Sequence, residues 1–284
     1  MSAAVSRLTA SCVAAFVLAG AVQLLAQAGQ SPQGPPAGAP QGPPPRGGGP
    51  PGGPGRGAPL GPPPSPQAGA PIDLTGYWVS IVNEDWRWRM VTPPVGDFPG
   101  IPLNPAAQKV ARSWNPSTDG SCQAFGAAAL LRMPMRVHIT WENDRTLKIE
   151  TDNGQQTRLL RFDPQGAPKP RSLQGDSLAV WERPVRGRGG FGPPPPGPPP
   201  PGGTLKVVTT NLSGGWLRRN GVPYSENATV TEYFDRFPVP NDGEWFSVTT
   251  TVEDPTYLIN RFVTSSHFRR EADGSKWAPK PCRN

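Results

Sequence analysis

The side chains with most chemistry to offer are few, and most of them lie on stretches of strand character. The chain has two histidines, His138 and His267. On a two-residue repeat His138 is in phase with Arg136 and Thr140, opposite Val137, Ile139 and Trp141. A metal centre would need the histidines to converge with carboxylates such as Glu142, Glu232 or Asp235. No HxxxH, HxH or CxxC spacing arranges that, so neither a metal nor another cofactor is expected. A Ser/His/acid set can be written from Ser225, His267 and Glu226, but no GxSxG turn accompanies it. Glu232 is more informative. In Val230-Thr-Glu-Tyr-Phe234 it is in phase with Val230 and Phe234, so it points toward whatever that face encloses. There it would anchor a ligand or act as an acid or base. The plainer alternative is a buried ion pair with an arginine such as Arg161 or Arg132.

Nine tryptophans complete the set. Trp78, Trp86, Trp88 and Trp141, with Trp181, Trp216 and Trp245, lie in or beside predicted strands. They either fill a core or line a cavity for an apolar or sugar ligand. The candidate ligand-binding residues are Trp78, Trp86, Trp88, His138, Trp141 and Glu232, and no catalytic residue is assigned.

The elements that must position these residues are strands. Residues 204–211, 228–237, 244–252 and 261–269 are runs of β-branched and aromatic residues, with Asn220-Gly221 and Asn241-Asp242-Gly243 as turns. Residues 72–82 form a first strand. Trp86, Trp88 and Met90 alternate with Arg87 and Arg89, which predicts an extended continuation. Asn104 as N-cap and Pro105 at the first helical position predict a short helix ending at Asn115-Pro116. Residues 123–131 suggest a further helical turn or two. Strands follow over 136–142, 146–151 and 156–162, with Asp152-Asn153-Gly154 as a hairpin signal. Residues 177–182 pair with 204–211. The count is about 8–10 antiparallel strands with one or two short helices, closed as a barrel or a strongly curved sandwich.

Composition divides the chain. Gly and Pro fill 29 of the 43 positions from 29 to 71, and 15 of the 17 from 187 to 203. Such tracts cannot build a core, so 29–71 reads as a disordered spacer and 187–203 as a disordered loop within a domain spanning 72–284. Residues 1–28 have the pattern of a signal peptide: Arg7, an apolar run, then Ala26-Gln27-Ala28. Cleavage would leave no transmembrane segment and a secreted or periplasmic protein. Loss of Arg7 leaves 27 basic against 21 acidic residues. The short runs Arg218-Arg219 and Arg269-Arg270 read as solvated strand ends rather than a nucleic-acid face. Cys12 leaves with the signal, and Cys122 and Cys282 remain as an even pair in an oxidising compartment. Their bridge would tie the C-terminal tail to the segment after the first helix.

The ordered residues resemble a widespread group of uncharacterised secreted bacterial proteins, of Acidobacteria and some Proteobacteria. The resemblance spans about 73–282. It rests on Asp73-Leu-Thr-Gly-Tyr-Trp78, Leu173-Gln-Gly-Asp-Ser-Leu-Ala-Val-Trp-Glu182, Gly203-Thr-Leu-Lys-Val-Val-Thr-Thr-Asn211, the block from Trp216 to Phe234, and Val252-Glu-Asp-Pro-Thr-Tyr257. It implies an antiparallel, lipocalin-like (calycin-like) β-barrel, and Gly76-Tyr77-Trp78 is similar to the Gly-x-Trp start of lipocalins. It implies no activity. The expectation is a binding module for a small-molecule or glycan ligand, small or extended. Two alternatives stand beside it: a cell-envelope interaction protein with a solid barrel, and a hydrolase or isomerase using Glu232 with His138 or His267.

Overall fold

The computed structural model describes residues 62–117, 122–164, 166, 169–184 and 201–282. The expected signal peptide, the 29–71 spacer up to residue 61 and residues 187–200 of the second Pro/Gly tract lie outside the described residues.

The barrel strands are β1 (Gly76–Ile81), β2 (Arg136–Asn143), β3 (Thr146–Thr151), β5 (Thr157–Arg161), β6 (Asp176–Glu182), β7 (Thr204–Thr210), β10 (Thr229–Val239), β11 (Gly243–Glu253) and β12 (Phe262–Glu271). Short pairs β4 (Asn153–Gly154) with β13 (Lys280–Pro281), and β8 (Gly215–Arg218) with β9 (Val222–Tyr224), lie outside it. The nine barrel strands close in the order β1-β12-β11-β10-β7-β6-β5-β3-β2.

The expected all-antiparallel sheet is corrected at one seam: β5 and β6 pair in parallel, Leu160 opposite Ser177 and Arg161 opposite Leu178. Asp163-Pro164 and Pro170 follow β5, and proline cannot donate to a ladder. No hairpin joins β5 to β6; the two strands run the same way and the sheet is mixed.

A second correction concerns Trp86 to Met90. The predicted extension is a one-turn helix, α1 (Trp86–Arg89), entered through Asp85 in the left-handed region at φ 52°. The side chain it buries is Arg89, not a tryptophan, and Trp86 is 64 % exposed. Arg89 donates from Nε to the Arg132 carbonyl at 2.7 Å and from Nη1 to Glu84 Oε2 at 2.9 Å. These tertiary bonds override the two-residue alternation.

Helix α2 (Pro105–Arg112) forms as predicted: Asn104 Oδ1 accepts from the Ala107 amide at 2.9 Å and Pro105 occupies the first turn. With α1, two 3₁₀ turns (residues 123–125 and 130–132) and the β8–β9 hairpin, it closes one end of the barrel. A first core fills the barrel around Trp78, Phe234, Phe246 and Phe268. A second joins the cap to the barrel through Ala107, Leu217, Tyr224, Val230 and Val252.

The other end is the mouth, carrying the β2–β3 and β10–β11 turns. Residues 66–69, which belong by composition to the spacer, lie against it. Trp181 Nε1 donates to the Pro66 carbonyl at 2.9 Å, and the Gln67 amide to the Asp144 carbonyl at 3.1 Å. The folded body therefore reaches further upstream than residue 72.

Candidate functional site

The barrel axis is filled. Trp78 meets Phe246 edge-on at 4.8 Å, and Phe246 stacks on Phe268 at 4.7 Å. Toward the cap the filling becomes polar. Arg158 donates from Nη1 to Glu232 Oε1 at 3.0 Å and from Nη2 to Oε2 at 2.6 Å. Thr209 Oγ1 lies 3.3 Å from Nη2, and Ser177 and Thr209 share a 2.7 Å hydroxyl bond. Both charged side chains are fully enclosed. Glu232 therefore points inward, as its phase predicts, and its arginine partner is Arg158 rather than Arg161 or Arg132.

Above this layer sits the Tyr224 hydroxyl, buried with no hydrogen-bond partner among the described residues. Burial pushes its pKa well above the usual phenol range, with the Arg158 charge opposing. Two glycines make room for it. A Cβ on Gly126 would lie 2.0 Å from that oxygen, and one on Gly215 would lie 2.7 Å from it. Gly126→Ala is therefore expected to cost about 1–3 kcal/mol by overpacking. Tyr224→Phe in the same chain should recover much of that, because the oxygen removed has no partner to lose. Urea unfolding of the wild type, Gly126→Ala and the double variant checks this, and failure of Tyr224→Phe to rescue would refute it.

The structure does not gather the candidate ligand-binding residues. Trp78 and Glu232 are sealed in the barrel. Trp141 stands at the mouth, stacked on Phe162 at 5.7 Å. His138 is on the outer face of β2, stacked on Tyr77 at 4.0 Å with Nδ1 3.7 Å from Glu150. Trp88, half-buried at the cap, donates from Nε1 to Asp97 at 3.3 Å, and Trp86 is exposed beside it. The histidines do not meet Glu232. His267 Nδ1 pairs with Glu84. Ser225 Oγ donates to Asp254 at 2.7 Å rather than to a histidine. No metal-ligating group of three or more His, Cys, Asp or Glu occurs among the described residues.

Concave space lies outside the barrel. A groove of about 830 Å³ runs along the mouth between Ile72, Trp141, Phe237 and Pro238, with the Arg236–Glu244 ion pair (2.9 Å) on its wall. At the capped end a cleft of about 600 Å³ lies between Trp114, Phe125, Asn153, Arg219 and Lys280, beside Cys122. Both aromatic walls of this cleft rest on glycine. A Cβ on Gly221 (φ +74°) would lie 2.2 Å from the Trp114 ring, and one on Gly154 (φ +84°) 2.2 Å from Phe125. In the left-handed region, with a ring against the Cα, only glycine fits without strain.

The far wall of the cleft comes from the C-terminal tail. The predicted disulfide Cys122–Cys282 is present, spanning 160 residues. The Lys280 amide donates to the Asp152 carbonyl at 2.7 Å, and β13 runs parallel to β4. Arg219 donates from Nη2 to the Arg89 carbonyl at 2.7 Å and keeps a buried Nε with no partner among the described residues. Burial holds its pKa below the usual arginine range. Two cations and two aromatic rings lining one cleft suit an anionic ligand with a flat apolar body. The expectation of solvated strand ends at Arg218-Arg219 is corrected: Arg218 is 5 % exposed and Arg219 half-buried. The signal that could have found this cleft is the disulfide, since bridging Cys122 to Cys282 brings the tail with Lys280 to the segment that carries Phe125.

Taken together, fold and site define a closed, mixed, nine-stranded barrel with a filled interior and concave space only outside the barrel among the clefts described. Comparison with family models, with curated proteins and with solved structures yields no match. No helix among the described residues is long and apolar enough to cross a membrane.

Proposed function

We propose that this protein is a secreted or periplasmic, non-catalytic binding module that takes a small anionic ligand with an apolar or aromatic body. The ligand lies in the cleft between Trp114, Phe125, Arg219 and Lys280. The observation that carries this reading is a cleft lined by two cations, Arg219 and Lys280, and by two aromatic rings, Trp114 and Phe125. Export is supported by the pattern of residues 1–28 and by the disulfide. A lipocalin-like relation is part of the same proposal. Its support is Gly76-Tyr77-Trp78 opening the first strand, with the Trp78 ring sealed 5.5 Å beneath the Arg270 guanidinium.

Isothermal titration with naphthalene-2-sulfonate and its neutral alcohol analogue tests the cleft. The sulfonate should bind roughly tenfold more tightly, about the worth of one charge-assisted hydrogen bond. Arg219→Gln and Lys280→Gln should each remove most of that preference. Equal affinity for both probes, or a preference indifferent to both substitutions, would sink this assignment.

The solid-barrel interaction reading is favoured by a separate observation, the filled axis around Trp78, Phe246 and Phe268. On that reading an extended envelope partner lies in the mouth groove along Trp141, Phe237 and Pro238. Trp141→Ala would then weaken partner capture while leaving the sulfonate titration unchanged.

A further inference from the structure

The cap buries a second group of cations next to the ring-lined cleft, joined to it by the bond from Arg219 to the Arg89 carbonyl. Arg89 of α1, Arg132 of the second 3₁₀ turn and Arg218 of β8 are 3, 6 and 5 % exposed. Their protein acceptors are few. Arg132 Nη2 donates to Asp85 at 3.0 Å, Arg89 Nη1 to Glu84 at 2.9 Å, and Arg218 Nη2 to the Pro99 carbonyl at 2.9 Å. Glu84 is shared with His267. The remaining nearby carboxylate, Asp97, is engaged by the exposed Arg87 at 3.2 Å. That leaves Arg89 Nη2, Arg218 Nε and Arg218 Nη1 buried and facing no protein acceptor among the described residues. Buried guanidinium donors without acceptors are costly, and excess positive charge at low dielectric is more so. Burial, and then the Arg132 charge, lowers the pKa of Arg89 and brings that of Arg218 down to about 10. Over Arg218, 4.7 Å away, lies the half-buried ring of Trp88.

We propose that Arg89, Arg132 and Arg218 form a site for a small oxyanion (phosphate, sulfate or a carboxylate) roofed by Trp88 and the single turn of α1. Free donors on two separate guanidinium groups would suit several oxygens on one centre better than a monatomic ion. Trp88, half-buried, and the exposed Trp86 beside it flank the cluster on the α1 side. The anion would neutralise charge that the protein's own carboxylates leave uncompensated, and would couple α1 to β8. The site then acts as an anion-dependent latch on the cap, independent of any ligand in the neighbouring cleft.

The test uses the full disulfide-bonded chain, ¹⁵N-labelled, titrated with inorganic phosphate at constant ionic strength. The expected result is a saturable shift of the Arg89 and Arg218 Nε–Hε resonances and of the Trp88 indole. The melting temperature should rise by roughly 5 °C at a hundredfold excess over Kd. Arg218→Met should abolish the phosphate response. Lys280→Gln should leave it intact while weakening sulfonate binding in the cleft, which separates this site from the proposed function. A response that is absent, linear in concentration, or the same in Arg218→Met overturns the proposal. Should Arg218→Met fail to fold, the wild-type resonance titration decides by itself.

Discussion

Glu232→Ala is expected to destabilise the fold by about 3–5 kcal/mol, enough to threaten folding of a domain of ordinary stability. The substitution removes a carboxylate that accepts two bonds from Arg158, at 3.0 and 2.6 Å, inside a sealed barrel. What remains is a guanidinium that is 1 % exposed, with only the Thr209 and Ser177 hydroxyls to receive its protons. Hydroxyls offer acceptor lone pairs but no charge, so the cost is mostly that of an uncompensated buried cation. The double variant Arg158→Met/Glu232→Leu should behave very differently. It exchanges the pair for apolar side chains of similar volume and is expected to be neutral or stabilising by about 1–4 kcal/mol. Urea unfolding of the single and double variants decides the matter. A mild single variant would mean that water reaches Arg158. A double variant as unstable as the single would mean that the pair also positions β5 against β10 across the barrel.

That layer also shows what the sequence could and could not reveal. Glu232 was legible as an inward residue because a strand repeats every two residues, and Val230 and Phe234 fix its phase. Its partner was not legible. Arg158 lies 74 residues away, in Thr157-Arg158-Leu159-Leu160-Arg161, where an arginine stands near each end and neither face reads as apolar. Only closure of the barrel selects between them. The parallel seam between β5 and β6 was hidden for a related reason: antiparallel pairing follows from a hairpin turn, whereas a long return segment carries no local mark of its direction. At the cap, local alternation misled. Trp86 to Arg89 repeats with a strand's period, yet Glu84 and the Arg132 carbonyl bind Arg89 and wind the segment into a turn. Of the candidate binding residues, Glu232 followed strand phase, whereas the cleft residues Trp114, Phe125 and Arg219 come from segments without a clear period. The one long-range relation open to sequence reasoning was the cysteine pair, since parity and compartment supply it without any knowledge of the fold.

Removing that bridge is expected to have an effect of the same order. In the chain-entropy model a link across 160 residues is worth about 5 kcal/mol, the upper end of what disulfides deliver. Little else holds the tail. Strand β13 pairs with β4 over two residues, and upstream of it the Trp277 ring makes an edge contact with Tyr77 at 5.9 Å. A Cys122→Ser/Cys282→Ser chain should therefore melt at a clearly lower temperature and lose Lys280 and Pro281 as a wall of the cleft. The two losses are separable. If stability falls and sulfonate affinity drops about tenfold with it, the bridge serves both the fold and the cleft. If stability falls with affinity unchanged, Lys280 takes no part in binding and Arg219 holds the anion without it. If neither changes, the pairing of β13 with β4 and the bond from the Lys280 amide to Asp152 suffice to seat the tail.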